Sequence, residues 1–255
     1  MRDPGHKGFT LVELSMVLVV ISLLIGGILV GQDLIRAATI RSEVSTMEKI
    51  QSAINTFRGK YNCVPGDCVN AVDFGLGPNG NGDGVVQLYD VPSSSAESMY
   101  FWTHLSAGNL IPGRFAGTLN DARGFTFSTI DGPTSKINTQ DMLLLADIAD
   151  ILHYIITTPI YGNPLTSSYY NHALVWIQMV PNTGSTFAQI NVREAFGVDS
   201  KIDDGIADTG RFLTTNDSWG PTNCVTGDYF TTDGSVNYNL RDTVNDCFPI
   251  WLIPN

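Results

Sequence analysis

The chain has 255 residues, with 25 acidic residues against 14 Lys and Arg and a formal net charge of −11. That balance excludes the basic footprint of a nucleic-acid binder. Only 15% of residues are charged while Gly, Ser, Thr and Asn abound, which suits a domain rich in strands and loops outside the cytoplasm.

The N-terminus carries Arg2, His6 and Lys7 and leads into Gly8-Phe9-Thr10-Leu11-Val12-Glu13-Leu14. From Leu14 to Val30 the only polar side chains are Ser15 and Ser22. With Phe9 to Val12 added, the segment reaches the ~20 residues that a helix needs to cross a hydrocarbon core of ~30 Å. A secretory signal has its small-residue cleavage site after the apolar stretch. Here Gly31-Gln32-Asp33 continues into an amphipathic pattern, so the stretch is expected to be retained. Arg2 and Lys7 favour a cytoplasmic N-terminus, which sends the chain after Gln32 outside.

Glu13 does not suit a plain anchor. A carboxylate at the edge of the apolar zone costs roughly 2–3 kcal/mol, and an ionisable group there is a functional hypothesis in need of a partner. The natural partner is the α-amino group that cutting the Gly8-Phe9 bond would create, presented by a neighbouring helix shifted along the membrane normal.

Gly8 followed by Phe9-Thr10-Leu11-Val12-Glu13 resembles the cleavage and methylation signature of type IV prepilins and type II secretion pseudopilins, over about residues 5–60. The resemblance implies cleavage after Gly8 by a prepilin peptidase and methyltransferase, N-methylation of Phe9, and subunit docking through Phe9 and Glu13. It implies a bacterial inner-membrane subunit with its N-terminus cytoplasmic and its head periplasmic. Its partners would be further copies and other pilins, an assembly platform and the platform's ATPase, with no direct contact to nucleic acid. The product would be a surface pilus or a periplasmic pseudopilus. Gly26-Gly27 stands where many type IV pilins have a proline, which leans mildly toward the pseudopilins. Loss of residues 1–8 removes Arg2, Lys7 and Asp3, taking the formal charge from −11 to about −12.

The expected fold is α+β and pilin-like: a long N-terminal helix, half transmembrane and half amphipathic, packed on an antiparallel sheet in a C-terminal head. The expected divisions are a leader at 1–8, a transmembrane and filament-core helix at 9–31, an amphipathic helix at 32–62 and a globular head at 63–255. Ile40, Val44, Met47, Ile50, Ile54, Phe57 and Tyr61 recur at steps of three and four, giving one apolar helical face to about Arg58. Gly59 and Pro65-Gly66 are expected to stop that helix.

Four cysteines outside the cytoplasm read as two disulfides. Cys63 and Cys68 enclose a Pro-Gly turn, and Cys224 with Cys247 would close a loop near the C-terminus; four thiolates on zinc is the poorer alternative at these spacings.

Residues 70–95 are turn-rich, with glycines at 75, 77, 80, 82 and 84. Asn79 to Asp90 aligns with a calcium loop in which Asn79, Asn81, Asp83 and Asp90 supply side-chain oxygens and Val85 a carbonyl. The plain alternative is a tight turn, since Asn-Gly and Asp-Gly tolerate positive φ. Asp199, Asp203, Asp204 and Asp208 around Gly205 form a second acidic group, read as an exposed turn or as a second cation site. Calcium is the one cofactor admitted, and none is required.

A short helix is expected over 96–107 with Met99, Trp102 and Leu105 inward, a buried helix over 141–156, and another from Ser185 or Thr186 to Phe196. Strands are expected at 125–130, 173–179, 229–232 and 248–253. No Gly-x-Ser-x-Gly, His-Glu-x-x-His or Walker loop occurs, and His104, His153 and His172 are scattered, so no enzyme is expected. The reading is a filament subunit; the alternative is a single-pass surface binding protein or adhesin that does not polymerise.

Overall fold

The computed structural model describes residues 8, 10–84, 86, 97–115, 133, 135–137, 142–147, 173–181, 190–216, 223–226, 236–241 and 247–254. The chain divides into two compact units, Met1–Thr39 and Ile40–Asn255. The layout is α+β and pilin-like, with a long N-terminal helix followed by a small antiparallel sheet in the C-terminal region.

Helix α1 runs over Leu11–Tyr61. Its first part is apolar on every side, and leucines, valines and isoleucines from Leu11 to Val30 are exposed. From Ile40 onward the pattern becomes one-sided: Ile40, Glu43, Met47, Ile50, Ala53, Ile54 and Phe57 are buried. Val44 and Tyr61 pack partly buried against the same core. The apolar period thus builds the expected face, with one carboxylate set in the middle of it.

Gly59 does not stop the helix as expected. A glycine costs only about 1 kcal/mol inside a helix. Two further residues continue to Tyr61, and Asn62 ends the helix at φ 56 with its N–H donating to the Arg58 carbonyl at 2.9 Å.

Helix α2 spans Glu97–Ala107 and buries Phe101, Trp102 and Leu105 completely. The side chain of Met99 lies outside the described set. Its end is a Schellman arrangement: Leu110 donates to Leu105 and Asn109 to Ser106, both at 3.0 Å, with Asn109 at φ 56.

The sheet contains β1 (Met142–Asp147), β2 (Ala173–Pro181), β3 (Phe212–Asn216) and β6 (Cys247–Pro254) in the order β1-β2-β6-β3, with every neighbouring pair antiparallel. Residues 142–147 correct the helix expected over 141–156. The run Met-Leu-Leu-Leu-Ala-Asp is too short for its periodicity to decide, and pairing with Pro181 to Trp176 makes it a strand. Residues 148–156 lie outside the described set, as do the strands expected at 125–130 and 229–232.

Pro249 sits inside β6, where it faces Thr214 of β3, beyond the Gln178–Ile250 pair that closes the described β2 register. A residue with no N–H is tolerated where one ladder is absent. The small sheet of β4 (Val225–Thr226) and β5 (Asn237–Tyr238) completes the described strands.

Helix α3 runs over Val192–Ile202 and corrects the helix expected to reach only Phe196. Its start is set by Asn191, whose side chain accepts from Arg193 N–H at 2.9 Å, while Glu194 accepts from the Asn191 N–H at 3.2 Å. This reciprocal capping box sets the start of the helix at Asn191, while Ser185 and Thr186 lie outside the described residues. A Cβ on Gly197 would lie 2.7 Å from the Ile40 side chain, so glycine here lets α3 approach α1 closely. Phe57, Trp102, Phe101, Phe212, Ile54, Met47 and Leu105 are among the largest fully buried side chains and join α1, α2 and the sheet in one core.

Candidate functional site

The N-terminal turn of α1 is built by a second capping box. Thr10 lies just before the helix, and its N–H and hydroxyl both donate to Glu13 Oε2 at 2.8 Å. Glu13 N–H donates in return to Thr10 Oγ1 at 3.3 Å. Thr-x-x-Glu before an apolar run is the sequence form of this motif, and it satisfies donors that the helix start leaves unpaired. Glu13 is therefore folded back on its own chain through one carboxylate oxygen. Gly8 is exposed, and Phe9 lies outside the described residues.

Above this cap the helix is long and apolar enough to cross a membrane, and its apolar side chains are exposed. Among the described residues none covers it, and it fits a membrane anchor.

In the head, Cys63 and Cys68 are bonded with Cα atoms 5.3 Å apart, and Cys224 and Cys247 with Cα atoms 5.1 Å apart. The first bridge closes the chain just after α1. The second ties the 223–226 segment to the start of β6.

Of the residues expected to hold calcium, Asn79, Asn81 and Asp83 are described. Asn79 Oδ1 accepts from Val72 N–H at 2.9 Å, and Asn81 Oδ1 accepts from Asp83 N–H at 2.9 Å. Val85 and Asp90 lie outside the described residues. The carboxylates that converge with Asp83 are Asp67 and Glu97, with oxygens within 4.8 Å of one another. Asp67 accepts from Gly82 and Gly84 N–H, and Glu97 from Asn81 N–H at 2.7 Å. Burial pushes the Asp67 carboxyl above its usual range against those backbone donors. A twelve-residue pattern does not reveal Asp67 or Glu97, because one comes from the disulfide turn and the other from the first turn of α2. Carboxylate oxygens are the ligand type that a hard cation takes.

His104 locks the same loop. Its Nδ1 accepts from Gly66 N–H at 2.9 Å and its Nε2 donates to the Pro78 carbonyl at 2.8 Å, which defines the neutral tautomer. The ring lies between Phe57 and Tyr100, with centroids at 6.1 and 6.4 Å. Burial holds its pKa below the ordinary value. His104 is thus a core fastener; His153 and His172 lie outside the described residues.

The second acidic group is partly a buried network. Asp199 is fully buried, accepts from Tyr238 Oη at 2.8 Å and from Gly205 N–H at 3.3 Å, and hydrogen-bonds to Asp203. Asp203 accepts from the Arg211 N–H and, at 3.1 Å, from the Phe212 N–H. Asp204 accepts from Ile206 N–H at 2.9 Å and Thr209 Oγ1 at 2.6 Å. Burial, with the Asp203 contact, pushes Asp199 up to about 9, so it holds a proton at neutral pH. Asp199, Asp203 and Asp204 share one place, whereas Asp208 is not in that group.

Residues 4–29 match the prokaryotic N-terminal methylation motif, the signature of type IV pilins and pseudopilins. The pilin-type family that carries this motif is structural, and the motif implies processing by a prepilin peptidase. No curated protein and no solved structure matches the chain.

Proposed function

We propose that this protein is the structural subunit of a type IV pilus-like or type II secretion pseudopilus filament, cut after Gly8, methylated on Phe9 and polymerised through α1. The observation that carries this reading is Glu13 at the base of an uncovered apolar helix, inside the methylation motif. Before assembly the apolar stretch holds the subunit in the inner membrane, with the head on the periplasmic side. In the fibre, α1 helices supply each other's apolar surroundings, while the head forms the exterior.

Glu13 uses Oε2 for its own Thr10, which leaves Oε1 for the Phe9 ammonium of the next subunit. A low local dielectric strengthens that pair, and an unpaired carboxylate would penalise misregistered subunits. Force for extraction would come from an assembly platform and its ATPase. The single-pass binding protein remains the second reading; it shares the head and the anchor but needs no cut at Gly8.

Calcium belongs to this proposal as a ligand of the head rather than a requirement, at Asp67, Asp83 and Glu97 or at Asp199, Asp203 and Asp204. Thermal melts with and without chelator test it; identical melts end it.

The main test is to isolate membranes and sheared surface fibres from the native cell and identify the N-terminal peptide by mass spectrometry. A peptide beginning at methylated Phe9 and enriched in fibres supports a pilus, and one confined to membranes favours a pseudopilus. An intact Met1 terminus in a host with active prepilin peptidase rejects the filament reading.

A further inference from the structure

Asn79-Gly80 and Asn81-Gly82 are the two Asn-Gly pairs of the chain, and they follow each other directly in the glycine loop. An asparagine loses its amide most easily before glycine, which puts no side chain in the way of its own backbone nitrogen. That nitrogen bonds to the asparagine Cγ, the Cγ–Nδ2 bond breaks, and Nδ2 leaves as ammonia with the proton that the backbone gave up. Water then opens the cyclic imide at either carbonyl, which leaves aspartate or isoaspartate and needs no oxidant or reductant.

Burial gives these pairs no protection, since Asn79, Asn81 and Gly82 are exposed and Gly80 is half-buried. Hydrogen bonds do. Gly80 N–H donates to the Cys68 carbonyl at 3.0 Å, and Gly82 N–H donates to Asp67 Oδ1. Asp67 Oδ2 accepts from Gly84 N–H at 2.9 Å, so one carboxylate grips the loop on both sides of Asp83. The asparagine side chains are held as well. Asn79 Oδ1 accepts from Val72 N–H at 2.9 Å, while Asn81 accepts from Asp83 N–H through Oδ1 at 2.9 Å and donates from Nδ2 to Asp83 Oδ2 at 3.1 Å. A Cβ on Gly80 would run into the backbone of Gly66 and Asp67, so the loop lies directly on the turn that the Cys63–Cys68 bridge closes.

We propose that Asn81 is a latent site of spontaneous deamidation and that Asp67, through its bond to the Gly82 N–H, keeps it an amide while the loop is closed. To attack, the Gly82 nitrogen must give up its proton and take on negative charge. A carboxylate hydrogen-bonded to that N–H disfavours the anion by its like charge. The same bond fixes the peptide plane, so the nitrogen is released for attack only by a local opening of the loop. Asn79 has the same chemistry under a weaker hold, because a neutral carbonyl accepts its glycine N–H and hydrogen bonds to charged groups are the stronger kind.

Conversion would reinforce itself. Nδ2 of Asn81 donates to Asp83 Oδ2, and an aspartate at 81 would set oxygen against oxygen there, beside a group in which Asp67, Asp83 and Glu97 already converge. Loss of ammonia does not reverse, so residue 81 records whether a head has been open. The inference uses the head alone and holds whether or not the subunit polymerises.

The test uses the full chain in mild detergent with both disulfides intact, incubated at mildly alkaline pH and mapped by mass spectrometry for the exchange of NH2 for OH at residues 79 and 81. Asn81 in the native chain is expected to convert at least about tenfold more slowly than in the same chain unfolded in guanidinium, a factor within reach of one hydrogen bond to a charged group. Asp67→Asn removes the charge and offers one acceptor oxygen to two N–H groups. It is expected to speed Asn81 at least about tenfold, with a much smaller gain at Asn79. Equal native and unfolded rates at Asn81, or an Asp67→Asn chain that leaves Asn81 at the native rate, overturn the proposal. Equal acceleration at both asparagines is what general loosening gives, and it overturns the specific role of Asp67. Amide hydrogen exchange in the native chain needs no variant: the Gly82 and Gly84 N–H groups are expected to exchange at least about tenfold more slowly than when unfolded, and exchange at the unfolded rate overturns the proposal.

Discussion

Glu43 in α1 accepts a hydrogen bond from the Lys136 backbone N–H at 2.6 Å across 93 residues of sequence, and its carboxyl is completely buried. The carboxylate in the apolar face of the helix therefore helps to hold the 135–137 segment, and Ile137 beside it is fully buried in the core.

Burial raises the Glu43 pKa above 4.5, against the Lys136 N–H, which lowers it. The stability it contributes is present below the ordinary glutamate pKa and is lost as pH rises through the raised value. Glu43→Gln mimics the neutral acid and is expected to melt higher than the native head at about pH 8, with the gap closing near pH 4. Glu43→Ala leaves a cavity and an unsatisfied buried N–H, and is expected to cost about 2–4 kcal/mol. Urea titrations of the three heads check both; a Gln variant that follows the native pH curve would remove the carboxyl from the account.

His104 behaves with the opposite sign. Its pKa is lowered from 6.5 by burial, so its contribution is present above the ordinary histidine pKa and is lost as pH falls through the lowered one. A second proton would sit on Nδ1, facing the Gly66 N–H that now donates to it. His104→Ala is expected to destabilise the head by about 2–4 kcal/mol and to erase this part of its acid sensitivity. Melting curves between about pH 4 and pH 7 decide; an Ala variant as stable as the native head contradicts the fastener role.

Asp199 ties α3 to β5 through Tyr238 and carries its proton up to a pKa of about 9, against 3.8 for a free aspartate. Stability from the neutral form is present below 3.8 and falls as pH rises toward 9. Asp199→Asn is expected to gain over the native head with rising pH. Millimolar calcium bound at this place would displace the proton, so it would raise the native melting temperature more at about pH 8 than at pH 5 and leave the Asn variant unmoved.

Thr10 and Glu13 close the N-terminal capping box, and the two residues separate structure from assembly. Thr10→Ala removes a cap side chain and is expected to weaken the first turn by about 1 kcal/mol. Glu13→Ala is expected to leave cleavage after Gly8 largely intact and to abolish fibres. Mass spectrometry of the N-terminal peptide beside a fibre-shearing assay reads both; normal fibres from Glu13→Ala refute the docking role.

Local chemistry alone made several features legible in the sequence. An apolar run from Leu14 to Val30, broken only by Ser15 and Ser22, is long enough to cross a hydrocarbon core, and the three-and-four spacing from Ile40 to Phe57 dictates one buried helical face. The pairing of near cysteines and the motif around Gly8 and Glu13 are equally local.

Tertiary structure decided what depends on partners far along the chain. Residues 142–147 are apolar in either conformation, and only the facing strand β2 selects extended backbone. Asp67, Asp83 and Glu97 meet because a disulfide turn, a glycine loop and a helix start converge. Glu43 reads as a polar break in a helical stripe until Lys136 arrives to accept its burial, and His104 reads as scattered until Gly66 and Pro78 reach its two nitrogens. Periodicity records which face of an element avoids water, but a hydrogen bond between distant residues leaves no period, so these contacts exist only in the folded chain.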